Sequence, residues 1–237
     1  MASSQKNGNM RRNDNLKVTL IAHTPEPEKI IASAARLCYS SSDIESLMEG
    51  LTTEKTEAFI KKLADLGHQS PLEHCTFTFG IEGVSRALLA QLTRHRIASY
   101  SVKSQRYVKE NSFQYITPPS ITANENCLDV YDKFMGYAQS VYDALVKLDI
   151  PAEDARYILP NACGTQIIMT FNIRSLLNFF ELRCCNRAQW EIRQMADTML
   201  GICKEIAPNI FAKAGASCVR GKCKEGTMSC GQPKGGR

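Results

Sequence analysis

Two stretches of the chain alternate apolar and polar residues, and several others repeat them at helical spacing. In 75–81, Phe77, Phe79 and Ile81 face one way while Thr76, Thr78 and Gly80 face the other, which predicts a half-buried strand. Residues 164–172 alternate in the same manner, and 17–22 form a short β-rich run. Helical spacing appears over 27–37 and over 54–66, where Phe59, Leu63 and Leu66 form one stripe and Glu57 stands four residues before Lys61. Gly67 then stops that helix. Ser85 can cap a helix over 86–93 with Leu88, Leu89 and Leu92 on its apolar face. Pro118-Pro119 marks a loop. A long helix is expected around 126–148, a short one after Pro151 with Glu153 and Asp154 in its first turn, and two more over 174–184 and 188–206. Few strands among many helices, with no run of βαβ units and no internal repeat, predict a single α+β domain.

Composition narrows the class. The 237 residues are 43% hydrophobic and 22% charged, enough apolar material for a sizeable core. No apolar run approaches the roughly 18 residues needed to span a bilayer, and the opening fifteen residues lack the apolar stretch of a secretory signal, so a cytoplasmic protein is expected. The formal charge of +5 is uneven: residues 1–15 carry +2 and residues 218–237 carry +4, which leaves −1 for 16–217. A nearly neutral core offers no general field for a polyanion, so any anion site must be local. The expected organisation is a disordered extension over 1–15, the domain over 16–217, and a Cys/Lys/Gly-rich tail over 218–237. Ten cysteines without an export signal read as reduced thiols. Seven of them (Cys38, Cys75, Cys127, Cys163, Cys184, Cys185 and Cys203) lie among apolar neighbours as small buried residues do, and Cys218, Cys223 and Cys230 cluster in the tail. Three thiolates can bind zinc with a fourth ligand, but the spacing lacks paired CxxC knuckles, and no metal is expected.

Three features carry candidate chemistry. Arg94-His95-Arg96 sits just past a helix and can present several N–H donors to phosphate or carboxylate oxygens. Ser99, Ser101, Lys103, Ser104, Arg106 and Tyr107 follow it, a run that suits a phosphate cradle; the three residues alone would equally suit a solvated turn. The second feature is the run from Gly67 to His74, where His68, Glu73 and His74 offer polar groups but no spacing that sets three metal ligands on one face. The third comprises Asn172, Arg174, Asn178, Arg183 and Arg187 among Phe179, Phe180, Leu182 and Trp190. Arg174 and Asn178 share a helix face. Arginines in such surroundings need a paired anion, supplied either by a ligand or by Glu181 and Glu191. No GxGxxG or Walker pattern is present.

Together these pieces resemble the flavin-dependent thymidylate synthases. That family's signature is Arg-His-Arg, seven residues, then Ser, matched by Arg94-His95-Arg96 and Ser104, and it continues to Arg106 and Tyr107. The stretch GHQSPLEH resembles the family's loop before its strand, and NIRSLLNFFELR with AQWEIR its C-terminal helices. The resemblance runs from about Val18 to about Ile210, with the motifs in the family's order.

The resemblance implies a small, mostly antiparallel sheet packed against long helices. It implies a homotetramer with active sites shared between subunits that makes dTMP from dUMP, with 5,10-methylenetetrahydrofolate as carbon donor and NADPH as reductant through FAD. Arg94, His95 and Arg96 would lie against FAD with Ser70 near its phosphates, and Asn172, Arg174 and Asn178 would complete the flavin site. The dUMP site would use Gln91, Arg94, Ser104, Gln105 and Arg106, with Arg156 from a neighbouring chain. Arg183 would sit at the uracil, favouring ionisation of N3 and so activating C5 without a cysteine nucleophile, and would be the catalytic residue. Ser101, Val102, Cys38 and Arg187 depart from the family's usual Asn, Glu, small hydroxyl residue and His. Two other classes compete with this reading. A nucleic-acid-binding module using 94–106 and the tail is opposed by the net-negative core and by aromatics that do not interleave with the cations. A ligand-binding relative without synthase activity is opposed by the joint presence of Arg183, Ser104 and Arg106.

Overall fold

The computed structural model describes residues 15–235, so of the extension expected over 1–15 only Asn15 falls inside it. The strands are β1 (Lys17–His23), β2 (Thr76–Ser85), β3 (Ser99–Val102) and β4 (Gly164–Asn172). They form one antiparallel sheet in the order β1-β2-β4-β3. The helices are α1 (Pro27–Leu37), α2 (Ile44–Glu49), α3 (Thr53–Leu66), α4 (Arg86–Leu92), α5 (Pro119–Thr122), α6 (Glu125–Lys147), α7 (Ala152–Ala155), α8 (Ile173–Arg183), α9 (Trp190–Ile206) and α10 (Pro208–Phe211). The α+β class expected from the residue pattern is the class observed.

Two side-chain pairs report the register of β2 against β4. Thr78 meets Thr170 hydroxyl to hydroxyl at 2.9 Å, and Gln166 donates to Glu82 at 3.0 Å. Four residues up β2 correspond to four residues down β4, as an antiparallel ladder requires. The alternation in β2 is realised with Phe77, Phe79 and Ile81 buried, and the strand continues past them to Ser85. Gly83 makes that continuation possible: its φ is +69°, and a Cβ there would lie 2.1 Å from the Asn15 carbonyl oxygen. Strand β3 was not legible in the residue pattern; it is four residues long and falls in the stretch read as hydroxyls and cations.

Packing groups the residues into two compact units. The first, built around residues 81–91 and 101–167, contains α4, α5, α6 and α7. Its core joins Phe113, Tyr115, Met135, Ala138 and Cys163. The segment between β3 and α5 has little regular structure, so its backbone groups find partners on α6. Gln139 accepts from the Phe113 N–H at 2.9 Å and donates to the Glu110 carbonyl at 2.9 Å, and the Tyr142 hydroxyl accepts from the Glu110 N–H at 3.2 Å. An otherwise irregular loop thereby has a fixed course.

The second unit comprises residues 18–80, 92–100 and 168–237, of which those up to 235 are described. In it α1 packs on α2 and α3, and α8 packs on α9. Its core is a succession of rings in contact, from His95 to Phe179 (5.0 Å between centroids), Phe180 (5.7 Å), Phe211 (6.0 Å) and Phe77 (5.9 Å). Aromatic burial of this kind fixes α8, and with it the cleft described below. Of the seven cysteines expected to be buried, Cys75, Cys163, Cys184 and Cys203 are; Cys38 and Cys127 are exposed and Cys185 is intermediate, a correction to the reading from apolar neighbours. No helix among the described residues is long and apolar enough to cross a membrane.

Candidate active site

An open cleft of about 1100 Å³ lies in the second unit. Helix α8 supplies one wall. Its N-cap Asn172 accepts from the Ser175 N–H at 2.8 Å, which starts the helix directly at the end of β4. Ile173, Leu176, Phe179 and Phe180 are buried, which turns Arg174, Asn178, Glu181 and Leu182 toward the cleft. Arg183 closes the helix, where the carbonyl-rich C-terminus favours a cation. The expectation that Arg174 and Asn178 share a face holds.

The connection after α4 adjoins α8, with Arg94, His95, Arg96 and Ile97 lining the cleft. The Tyr100 hydroxyl anchors this turn by donating to the His95 carbonyl at 2.8 Å, and burial pushes its phenol up to about 12. The His95 ring stands edge-on to Phe179, and its Nε2 accepts from Arg183 Nε at 3.0 Å. Burial first, and the Arg183 cation second, hold the His95 imidazole down at about 4. It is therefore neutral near pH 7 with its proton on Nδ1. The Arg183 guanidinium is itself pulled below its usual range by burial and then by Arg94, yet an arginine so shifted remains charged.

The run from Gly67 to His74 folds into a 3-10 turn over Ser70–His74. Gln69 and Glu73 line the cleft, and Glu73 holds Arg174 at 2.5 Å. The Ser70 hydroxyl pairs with His68 Nε2 at 3.1 Å and is not among the lining residues. Among the described residues no three His, Cys, Asp or Glu side chains converge as a metal site would require.

The remaining expected residues belong to the first unit. The Ser104 hydroxyl accepts from the Arg106 N–H at 3.2 Å. Arg106 pairs through Nε with Glu153 at 2.6 Å, and Arg156 Nε donates to the Glu153 carbonyl at 3.0 Å, so one residue of α7 gathers both arginines. Gln105 is turned inward, buried and donating to the Cys163 thiol at 3.2 Å. Burial raises that thiol to about 11, so it is not a thiolate near neutrality. Gln91, the last polar residue of α4, is half-buried.

Six of the seven residues associated with the flavin (Arg94, His95, Arg96, Asn172, Arg174 and Asn178), together with Arg183, thus line one cleft. Among the lining residues missed for this role, three form one charged group. Arg220 and Lys224 come from the stretch read as a tail, and Glu181, considered only as a salt-bridge partner, holds both of them. The +4 charge of that stretch was the one signal in the residues. Guanidiniums and amides that line one cleft with Phe171, Leu177 and Leu182 are groups suited to an anionic, ring-bearing ligand.

That class has a family. The model of the thymidylate synthase complementing protein matches residues 19–209. The chain is 52% identical to a flavin-dependent thymidylate synthase of Geobacter sulfurreducens and 49% identical to one of Clostridium tetani, each across 92% of this chain and 94% of the relative. It is 41% identical to one of Pyrococcus furiosus, across 89% of this chain and 90% of the relative. The chain belongs to the flavin-dependent thymidylate synthase family.

Proposed function

We propose that this chain converts dUMP to dTMP, taking the carbon from 5,10-methylenetetrahydrofolate and reducing equivalents from NADPH through FAD, as a cytoplasmic homotetramer. The single observation that carries the reading is Arg183, held by a neutral imidazole in a cleft rich in cations. The donor set suits FAD: Arg94, Arg96 and Arg174 match the charge of a diphosphate, and Asn172 and Asn178 offer amide groups to a ring edge. Asn172 spends its side-chain oxygen on the helix cap, which leaves its amide nitrogen for a ligand. FAD, when bound, supplies the redox chemistry, and the protein supplies position and electrostatics.

Arg183 performs the activating role. A fixed guanidinium against the uracil stabilises the N3-ionised form and raises electron density at C5. His95 holds that guanidinium through Nε without adding a competing charge. Arg106, Ser104 and Arg156 are the phosphate-binding group for dUMP, with Glu153 gathering the arginines. No cysteine is needed: burial pushes the Cys75 and Cys163 thiols up to about 11, and those of Cys184 and Cys203 higher still. Val130, Phe134 and Tyr137 stand exposed on α6 at i, i+4 and i+7, an apolar stripe suited to burial against another copy.

The test is dTMP formation, read by mass spectrometry, from dUMP, methylenetetrahydrofolate and NADPH with and without FAD under low oxygen. Flavin-dependent dTMP is the expected result. Folded, FAD-reconstituted protein that forms none removes the synthase reading.

A further inference from the structure

The stretch expected to be a basic tail has a defined course in the second unit. Cys218 is buried, and its thiol accepts from the Lys234 N–H at 3.3 Å. Asn186 donates to the Gln232 carbonyl at 3.1 Å, Arg187 pairs with Glu225 at 2.6 Å, and Lys234 pairs with Asp197 at 3.2 Å. At Gly235 a Cβ would fall 2.3 Å from the Cys218 carbonyl oxygen, so the chain returns close upon itself. Residues 217–235 are a strap tied at several points to α9 and to the turn that precedes it.

The strap brings Arg220 and Lys224 to the wall of the cleft. Both rest on one carboxylate: Lys224 Nζ is 2.6 Å from Glu181, and the Arg220 guanidinium grips its other oxygen. Burial pushes the Glu181 carboxyl up, but the Lys224 hydrogen bond and the two cations outweigh it and hold the group below its usual range, so it stays ionised. One negative charge is therefore shared by two positive ones. The Lys224 side chain is 70% exposed and engages Glu181 through one of its three N–H donors. Among the described residues that line the cleft, the cations Arg94, Arg96, Arg174, Arg183, Arg220 and Lys224 are accompanied by two carboxylates, Glu73 and Glu181. Six cations against two carboxylates exceed what the two charges of a flavin dinucleotide's diphosphate neutralise, and part of the excess, one charge after Glu181 is counted, stands on the strap.

We propose that Arg220 and Lys224 form a second phosphate site on this cleft, taking the additional phosphate of a phosphorylated dinucleotide reductant. The site rests on the flavoenzyme reading above and adds to it the residues that select the reductant. A guanidinium beside an ammonium, both pre-set on a buttressing carboxylate, suits a phosphate dianion better than a single carboxylate, because the fork offers paired donors and the ammonium a point charge. NADH, which lacks that phosphate, gains nothing from the pair.

The probe is 2′,5′-ADP, compared with 5′-AMP, titrated calorimetrically into FAD-loaded protein. Wild-type protein should prefer 2′,5′-ADP. Arg220→Gln/Lys224→Gln should weaken 2′,5′-ADP by about tenfold or more and leave 5′-AMP, FAD stoichiometry and thermal midpoint unchanged. Lys224→Gln alone, at an exposed side chain that does not endanger folding, should show part of the loss. Unchanged 2′,5′-ADP binding in both variants overturns the site, and so does loss of FAD from the double variant, which would give these cations to the cofactor. A double variant that weakens methylenetetrahydrofolate binding in place of 2′,5′-ADP also overturns it. Wild-type protein that takes up no FAD would fail at the loading step, which separates failure of the flavoenzyme reading from failure of the second phosphate site.

Discussion

Arg183 donates through Nε to His95 Nε2 across 3.0 Å, and that imidazole stands edge-on against Phe179. A guanidinium beside a protonated imidazole would be repelled, so the bond exists only while His95 is neutral. Burial and Arg183 together keep it so, and the pair is self-consistent: the cation that needs the acceptor helps to maintain it. Phe179 belongs to the succession of rings through Phe180 and Phe211, which ties the orientation of Arg183 to the core.

The His95 ring should titrate near pH 4 in the folded protein, against 6.5 in an exposed histidine. Between those values the unfolded chain binds the proton and the folded chain does not, so this contribution to stability is fully present above about pH 6.5 and is lost as pH falls toward 4. NMR titration of ring-labelled protein gives the midpoint directly. A midpoint at or above 6.5 would show that the ring is not buried against Arg183.

Replacing Arg183 with Ala should leave FAD bound and lower the turnover of dUMP by roughly 10²–10³-fold, the scale of losing one preorganised electrostatic group. His95→Asn should lower kcat more than it raises the KM for dUMP, because it loosens the guanidinium without removing it. Single-turnover kinetics on flavin-loaded variants separate the two. Near-normal turnover in the Arg183 variant would remove it from the mechanism.

The parts of this site that could be read from sequence are those set by short-range periodicity. Arg174, Asn178 and Glu181 fall on one face of α8 because Leu176, Phe179 and Phe180 must be buried on the other, and both facts lie within one helix. The two long alternating strands were legible for the same reason. Residues fixed by distant partners were not. Gln105 turns inward because Cys163 waits 58 positions away, and Arg220 reaches the cleft because Glu181, 39 positions away, holds it. Five glycines and three scattered lysines read as coil until those pairings are seen. Strand β3 is too short to show a period and is defined by its pairing with β4.

Arg106→Ala should raise the KM for dUMP by about 10–100-fold with a smaller change in kcat, since a phosphate clamp contributes chiefly to binding. Its partner Glu153 is half exposed, so Glu153→Gln should change stability by less than about 1 kcal/mol. Equilibrium binding of dUMP to the flavin-loaded variants decides the first point and thermal melting the second. Unaltered dUMP affinity in the arginine variant would refute the clamp.

Thiol reactivity should divide by burial. At pH 8, iodoacetamide should label Cys38, Cys127 and Cys230, which are exposed, and spare Cys75, Cys163, Cys184 and Cys203 in the folded protein. Peptide mass spectrometry with and without denaturant reads the division. Labelling of the exposed thiols should also leave the turnover of dUMP intact, because no step requires a thiolate; loss of turnover on labelling any one of them would contradict that.

Gly83 carries the sharpest steric demand in the sheet. Its φ of +69° is open to glycine and costly for other residues, and a Cβ would sit 2.1 Å from the Asn15 carbonyl oxygen, a backbone atom that cannot swing away. Gly83→Ala should therefore cost about 2–4 kcal/mol, the sum of the left-handed penalty and overpacking, and lower the thermal midpoint by roughly 5–15 °C. Gly80→Ala in the same strand is the control. There the nearest atom is Ile21 Cδ1 at 3.2 Å, the far end of a flexible side chain, and no positive φ is involved, so the loss should stay within about 1 kcal/mol. Equal destabilisation by the two substitutions would mean that the close approach of Asn15, rather than β2 itself, gives way.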